Sequence, residues 1–343
     1  MKRINLALQG GGAHGAYTWG VLDRLLDEPD IEIAAISGTS AGALNGAAFK
    51  SGWHKNGREG AREALDWLWH EIAQVRDIGL PEWMNAWLPH PGVTARALEF
   101  SPAYAFSDTA SRVMSPYAWG PLYRNPLIPI VEEFDFGSVC ADDGPRLFVG
   151  ATSVRDGKVR IFSGEKVDTE AILASACLPT LFQAVEVTCP YSGRREACWD
   201  GGYSGNPALF PLYDKDLPDD VVIVNINPLI RDEVPRSANE IQNRINEISF
   251  NSALLKELRA IEFVQRLLRD GAVKPGTMKR VLVHMIADDD FMTELSVATK
   301  LIPIPALISQ LKAAGRARAD AFLGDHKSDL NERQSADLVA MFN

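Results

Sequence analysis

The chain opens on an apolar run, Ile4 to Leu8, of strand length, and Gly10-Gly11-Gly12 follows it. Ala16 to Asp27 then sets Trp19, Leu22, Leu25 and Leu26 on one side at helical spacing. Ile31 to Ser37 is a second short apolar run. After Gly38-Thr39-Ser40, small residues through Ala41, Leu44, Ala47 and Ala48 predict a closely packed helix. A β-α-β-α order implies parallel strands covered by helices. Further strands are expected at 146–152, 159–163, 184–187, 221–225 and 280–286. The pattern therefore predicts an α/β fold with one mostly parallel central sheet flanked by helices.

Two stretches break that rhythm. Residues 80–130 are crowded with proline and aromatic side chains, among them Pro81, Trp83, Trp87, Pro91, Tyr104, Tyr117, Trp119 and Tyr123. An insertion of this size in an α/β domain reads as a lid or binding element. In the C-terminal third, Asn239 to Asp270 carries Ile241, Ile245, Ile248, Leu255, Leu258, Phe263 and Leu267, a long amphipathic helix, and Pro305 to Leu323 predicts another. The expected organisation is a domain over 4–215, with the insertion at about 80–130, and a C-terminal extension over 216–343 that adds the last strands and amphipathic helices.

Composition narrows the class. The 343 residues, 46% hydrophobic and 23% charged, suit a globular protein with a sizeable core. A net charge of −10 argues against nucleic acid as a partner, because there is no basic excess to neutralise phosphates. It also argues against electrostatic adsorption to anionic membranes. The apolar stretch at the start is short for a signal peptide and runs straight into glycines, so it reads as a core strand. No window reaches the length of a membrane-spanning helix. Cys140, Cys177, Cys189 and Cys198 show no metal-type spacing; Cys189 and Cys198 flank an expected hairpin tip, and free thiols are the expected state. The expected location is cytoplasmic, with peripheral contact to lipid left open.

Chemistry enters at the glycines. Gly38-Thr39-Ser40-Ala41-Gly42 has the G-x-S-x-G form of a nucleophile elbow, in which small neighbours permit a strained strand-to-helix turn that exposes the serine hydroxyl. Gly10-Gly11-Gly12-Ala13-His14-Gly15 offers backbone N–H groups without side-chain obstruction, as an oxyanion requires. The same glycines satisfy G-x-G-x-x-G, but a dinucleotide site needs a carboxylate at the end of the second strand, where this chain has the elbow. No Gly-Lys-Ser/Thr follows, so a P-loop fails. None of His14, His54, His70, His90, His284 and His326 stands in a triad context, and His284 reads as a packed strand residue. The third element is Trp199-Asp200-Gly201-Gly202, followed by Asn206-Pro207. By itself it is compatible with a simple turn.

Taken together and in order, these motifs resemble the patatin-like phospholipase family, and Ala174-Ser175-Ala176-Cys177-Leu178-Pro179 with Phe182 is similar to a further segment of it. The likeness spans about residues 4–215; the C-terminal helices resemble, more loosely, a bacterial subgroup with a helical extension. It implies a Ser–Asp dyad: Ser40 as nucleophile, Asp200 as base, and Gly10, Gly11 and Gly12 around the oxyanion. Gly38, Gly42, Gly15, Gly201, Gly202 and His14 would support the site. It implies a lipid ester as substrate, with no metal or other cofactor. The chain departs from the family at His14, where Arg or Lys is usual; a histidine can be neutral at pH 7. Acyl transfer to an alcohol, storage-polyester hydrolysis and a catalytically weak scaffold remain alternatives. Trp53, Trp67, Trp69, Trp83, Trp87 and Trp119 leave two readings open, core packing or a surface that meets acyl chains.

Overall fold

In the computed structural model, residues 1–75, 91–99, 101, 114–274 and 276–342 are described. Much of the expected 80–130 insertion, including Trp83 and Trp87, lies outside the described residues, as does the side chain of Trp119. The strands are β1 (Lys2–Leu8), β2 (Ile31–Thr39), β3 (Arg146–Ser153), β4 (Val159–Ser163), β5 (Val185–Thr188), β6 (Arg195–Asp200), β7 (Asp220–Asn225) and β8 (Leu282–Ala287). They form one sheet in the order β5-β6-β3-β2-β1-β7-β8, with β4 on β3. The run from β3 to β8 is parallel, whereas β4, β5 and β6 join antiparallel at one side. The main helices are α1 (Gly15–Leu25), α2 (Ala41–Gln74), α3 (Thr169–Ser175), α4 (Ala238–Arg269), α5 (Val297–Leu301) and α6 (Pro305–His326).

The two-residue period of β1 sorts its side chains between two cores. Ile4, Leu6 and Leu8 pack with residues of α1, α2 and α6, including Tyr17, Phe49 and Leu311. Ala7 faces the other side, with Ala35, Val221 and Ile223 under Leu254, Leu258 and Ile261 of α4. Helices thus cover both faces, which is why the central strands read as apolar without alternation.

Each strand expected from the sequence is present within two residues of its expected ends. The sequence pattern did not reveal β6, whose Arg-Glu-Ala-Cys-Trp-Asp run alternates between buried and less buried positions at the side of the sheet. Cys198 lies in β6 opposite Val185, so the hairpin tip is shorter than Pro190 to Ala197, and all four cysteines are free. Helix α2 runs well past the small-residue stretch and is broken at Asn56 and Gly57, where Gly57 takes a φ of +56°. β7 pairs directly with β1, so the C-terminal part of the chain shares the sheet that carries the glycine loops.

Candidate active site

Both glycine loops leave the C-terminal ends of adjacent parallel strands, β1 and β2, where open α/β sheets form their clefts. Ser40 takes φ +54° and ψ −122°, left-handed backbone that costs a non-glycine residue on the order of 1–3 kcal/mol. The turn is held by hydrogen bonds from other elements. The Ser40 N–H donates to Ser175 Oγ at 2.9 Å, and the Ser175 hydroxyl donates to the Gly150 carbonyl at 2.6 Å. Thr39 Oγ1 donates to the Gly205 carbonyl at 2.8 Å. Ser40 caps the N-terminus of α2, so that helix directs its positive end at the serine.

Asp200 ends β6 and is wholly buried (0% exposed), while Ser40 keeps 6% exposure. Asp200 Oδ1 accepts the Gly202 N–H at 2.7 Å; Oδ2 is buried without a hydrogen-bond partner among the described residues. Burial pushes its carboxyl up to about 7, against the stabilising pull of the Gly202 amide and of the Ser40 hydroxyl beside it. Sequence positions far apart therefore place a strained serine next to a carboxyl group with an open oxygen.

The first glycine loop lies against the second. A Cβ on Gly10 would stand 2.7 Å from Ser40 Cβ and 2.8 Å from the Thr39 carbonyl oxygen. The Gly10 N–H is committed, donating to Asn206 Oδ1 at 2.7 Å. Gly11 and Gly12 have no acceptor for their amides among the described residues, because the short 3-10 turn Gly12–His14 starts there. Gly12 has φ +57°, and a Cβ there would collide with the Lys300 carbonyl oxygen. Gly15, Gly38, Gly42, Gly201 and Gly202 all sit where an added Cβ would come within 2.5 Å of another group.

His14 is buried, and burial holds its imidazole well below the usual histidine range, helped by Lys300. Its Nε2 lies 2.8 Å from Thr299 Oγ1. The Thr299 hydroxyl already donates to the Ser296 carbonyl, so it accepts here and His14 is a neutral Nε2–H donor. Gln9, Asn206, Asn227 and Lys300 complete the scaffold of the loop. Asn206 follows the Asp-Gly-Gly turn in sequence, whereas Gln9, Asn227 and Lys300 have no local sequence signal, since each acts on a distant element.

A cavity of about 330 Å³ opens beside Ser40 and is mostly apolar. Its walls include Leu44 and Trp69 from α2, Leu127 from the end of the insertion, Phe182 after α3, and Leu301 from α5. Trp67 meets Phe134 edge-on at 5.7 Å and packs the core, whereas Trp69 stacks on Trp19 at 6.3 Å and also lines the cavity. Among the described residues, no group of three or more His, Cys, Asp and Glu is placed to hold a metal, and no helix is long and apolar enough to cross a membrane.

The order of these loops is that of a known family. The family model for patatin-like phospholipases matches residues 6–213. Solved structures with a similar course include VipD from Legionella pneumophila, at 13% identity and a TM-score of 0.44, covering 95% of this chain and 67% of VipD. The type III effector ExoU matches at 15% identity and a TM-score of 0.36, covering 95% of this chain and 54% of ExoU, so the chain spans about half of ExoU's length. No curated protein sequence matches it. With the model matched over more than half of its residues, the chain belongs to the patatin-like phospholipase family.

Proposed function

We propose that the protein is a serine-dependent lipid acyl hydrolase that works through a Ser40–Asp200 dyad on a phospholipid or lysophospholipid ester. The observation that carries this reading is the buried, unpartnered Oδ2 of Asp200 next to a serine held at positive φ. Ser40 Oγ attacks the ester carbonyl carbon while its proton passes to Asp200. The carbonyl oxygen becomes an oxyanion held by the Gly11 and Gly12 amides, with Gly10 committed to Asn206, and by the α2 N-terminus. Collapse expels the alcohol, which takes the proton from Asp200 and leaves an acyl-Ser40 ester. Water then attacks that ester, again losing its proton to Asp200, and the fatty acid departs as Ser40 recovers its hydrogen. A carboxyl with an ionisation near neutrality suits both proton transfers. The apolar cavity beside Ser40 accommodates the acyl chain.

A fluorophosphonate probe tests the assignment. It should label the protein once, with the adduct on the peptide containing Ser40, and Ser40→Ala should abolish both labelling and turnover of a p-nitrophenyl ester. Labelling that survives Ser40→Ala removes Ser40 from the role. Products formed with and without an alcohol acceptor separate hydrolysis from acyl transfer.

A further inference from the structure

We infer that Lys300 is a positioning residue for the oxyanion loop, bracing it with an ammonium supplied from the C-terminal part of the chain. This rests on the Ser40–Asp200 reading above. Lys300 Nζ donates to Asn227 Oδ1 at 2.7 Å and to Asn246 Oδ1 at 3.2 Å. The other end of the Asn227 amide, Nδ2, donates to the Gly10 carbonyl at 3.0 Å and to Gln9 Oε1 at 3.1 Å. The Gly10 carbonyl and the Gly11 N–H belong to one planar trans peptide and point in opposite directions. Holding that carbonyl therefore aims the Gly11 N–H. The ammonium polarises Asn227 and strengthens the hold.

α5 is pressed on the same loop at two further points. The Lys300 carbonyl oxygen abuts Gly12, and Thr299 Oγ1 accepts a hydrogen bond from His14 Nε2. His14 is neutral and adds no charge to that of Lys300 at the loop, while Arg124 is a further cation on the wall of the same cavity. Glu247 and Arg231 also act on this ammonium, but Glu247 is already bound by Arg231 and by Arg244 at 3.1 Å. The helix Pro91–Glu99, which packs on α5, contributes an exposed Arg96 and a Glu99 bound by Asn243. Burial brings the Lys300 ammonium down to about 8, so its charge is lost within an accessible pH range.

The test is the pH profile of kcat and KM for a neutral soluble ester, with Lys300→Met and Lys300→Arg. Wild type should lose activity on the acid side near 7, as Asp200 is protonated, and on the alkaline side near 8, as Lys300 loses its charge. Lys300→Met should lower kcat roughly 10- to 100-fold, leave KM for the neutral ester in place and abolish the alkaline fall. Lys300→Arg, whose guanidinium stays charged, should keep activity and move the alkaline fall out of range; it also carries the test if the Met variant does not fold. A fall near 8 that persists in either variant overturns the inference. So does an effect of Lys300→Met confined to KM for anionic lipids, which would make Lys300 a head-group contact. Wild-type protein without Ser40-dependent turnover overturns both readings, whereas active wild type with indifferent Lys300 variants overturns this one alone.

Discussion

Ser175 Oγ accepts the backbone N–H of Ser40 at 2.9 Å, and through its own hydrogen bond to the Gly150 carbonyl it ties the strained turn to β3. The segment around Ser175 thus contributes to the site by fixing Ser40, without itself being placed to react. Ser175→Ala leaves a buried amide and a buried carbonyl unpaired, at a cost of about 1–3 kcal/mol for each group not rescued by water. Urea denaturation should show that loss, and kcat should fall with it. A variant equal to wild type in both would show that the turn holds itself.

Asp200→Asn keeps the shape but removes the proposed proton acceptor. Turnover should fall on the order of 10²–10⁴-fold, while circular dichroism remains that of the wild type. Burial raises the Asp200 carboxyl to about 7, above its unfolded value, so ionising it opposes folding. That penalty is absent below the unfolded pKa, grows as pH rises towards 7 and is complete above it. Asp200→Asn should therefore be more stable than wild type at pH 8 by a few kcal/mol, with the gain vanishing in acid. Denaturation midpoints at the two pH values check this, and a destabilised variant at pH 8 contradicts it.

Gly10→Ala should disable the site by contact, since its Cβ would fall 2.7 Å from Ser40 Cβ and 2.8 Å from the Thr39 carbonyl oxygen. Overpacking of this kind costs about 1–3 kcal/mol and displaces the serine, so probe labelling of Ser40 should slow. Gly57→Ala is the matched control: φ is +56° but nothing lies within 4 Å of the added carbon. It should lose roughly 1–2 kcal/mol and label at the wild-type rate. Equal labelling rates for the two variants would count against the packing argument.

His284 should matter for stability and not for catalysis. Its Nε2 bonds Asp220 Oδ1 at 3.0 Å inside the core, and Asn331 donates to both oxygens of the same carboxylate. These partners hold Asp220 below the usual carboxylate range despite burial. His284→Phe leaves the carboxylate short of a partner and should cost about 3–5 kcal/mol. The folded fraction should retain kcat. If folded His284→Phe is inactive while Asp200→Asn works, the base has been misassigned.

The local sequence determined the strands other than β6, the two glycine loops and the place of Ser40 at the second turn, whereas Asp200 became a candidate only through the resemblance to the family. The first three depend on short-range rules: an apolar run of strand length, small residues where the backbone turns sharply, and a serine at the centre of the second turn. Helix α4 was legible as an element but its buried face was not: Ile241, Ile245, Ile248 and Phe263 are exposed, whereas Phe250, Leu254, Leu258 and Ile261 are buried. β6 was not legible, because its mixed polarity follows from a place at the side of the sheet.

Only the tertiary structure decided which groups are free to act. The Gly10 N–H reads like its neighbours in sequence, yet Asn206 occupies it. Lys300 reads as an ordinary charged helix residue, yet it reaches the loop through Asn227. The raised carboxyl of Asp200 follows from complete burial, which β6 acquires by pairing with β3. Hydrogen bonds between segments hundreds of residues apart leave no periodic trace in a chain, and desolvation depends on everything that surrounds a group; both exist only once the sheet has brought its distant strands together.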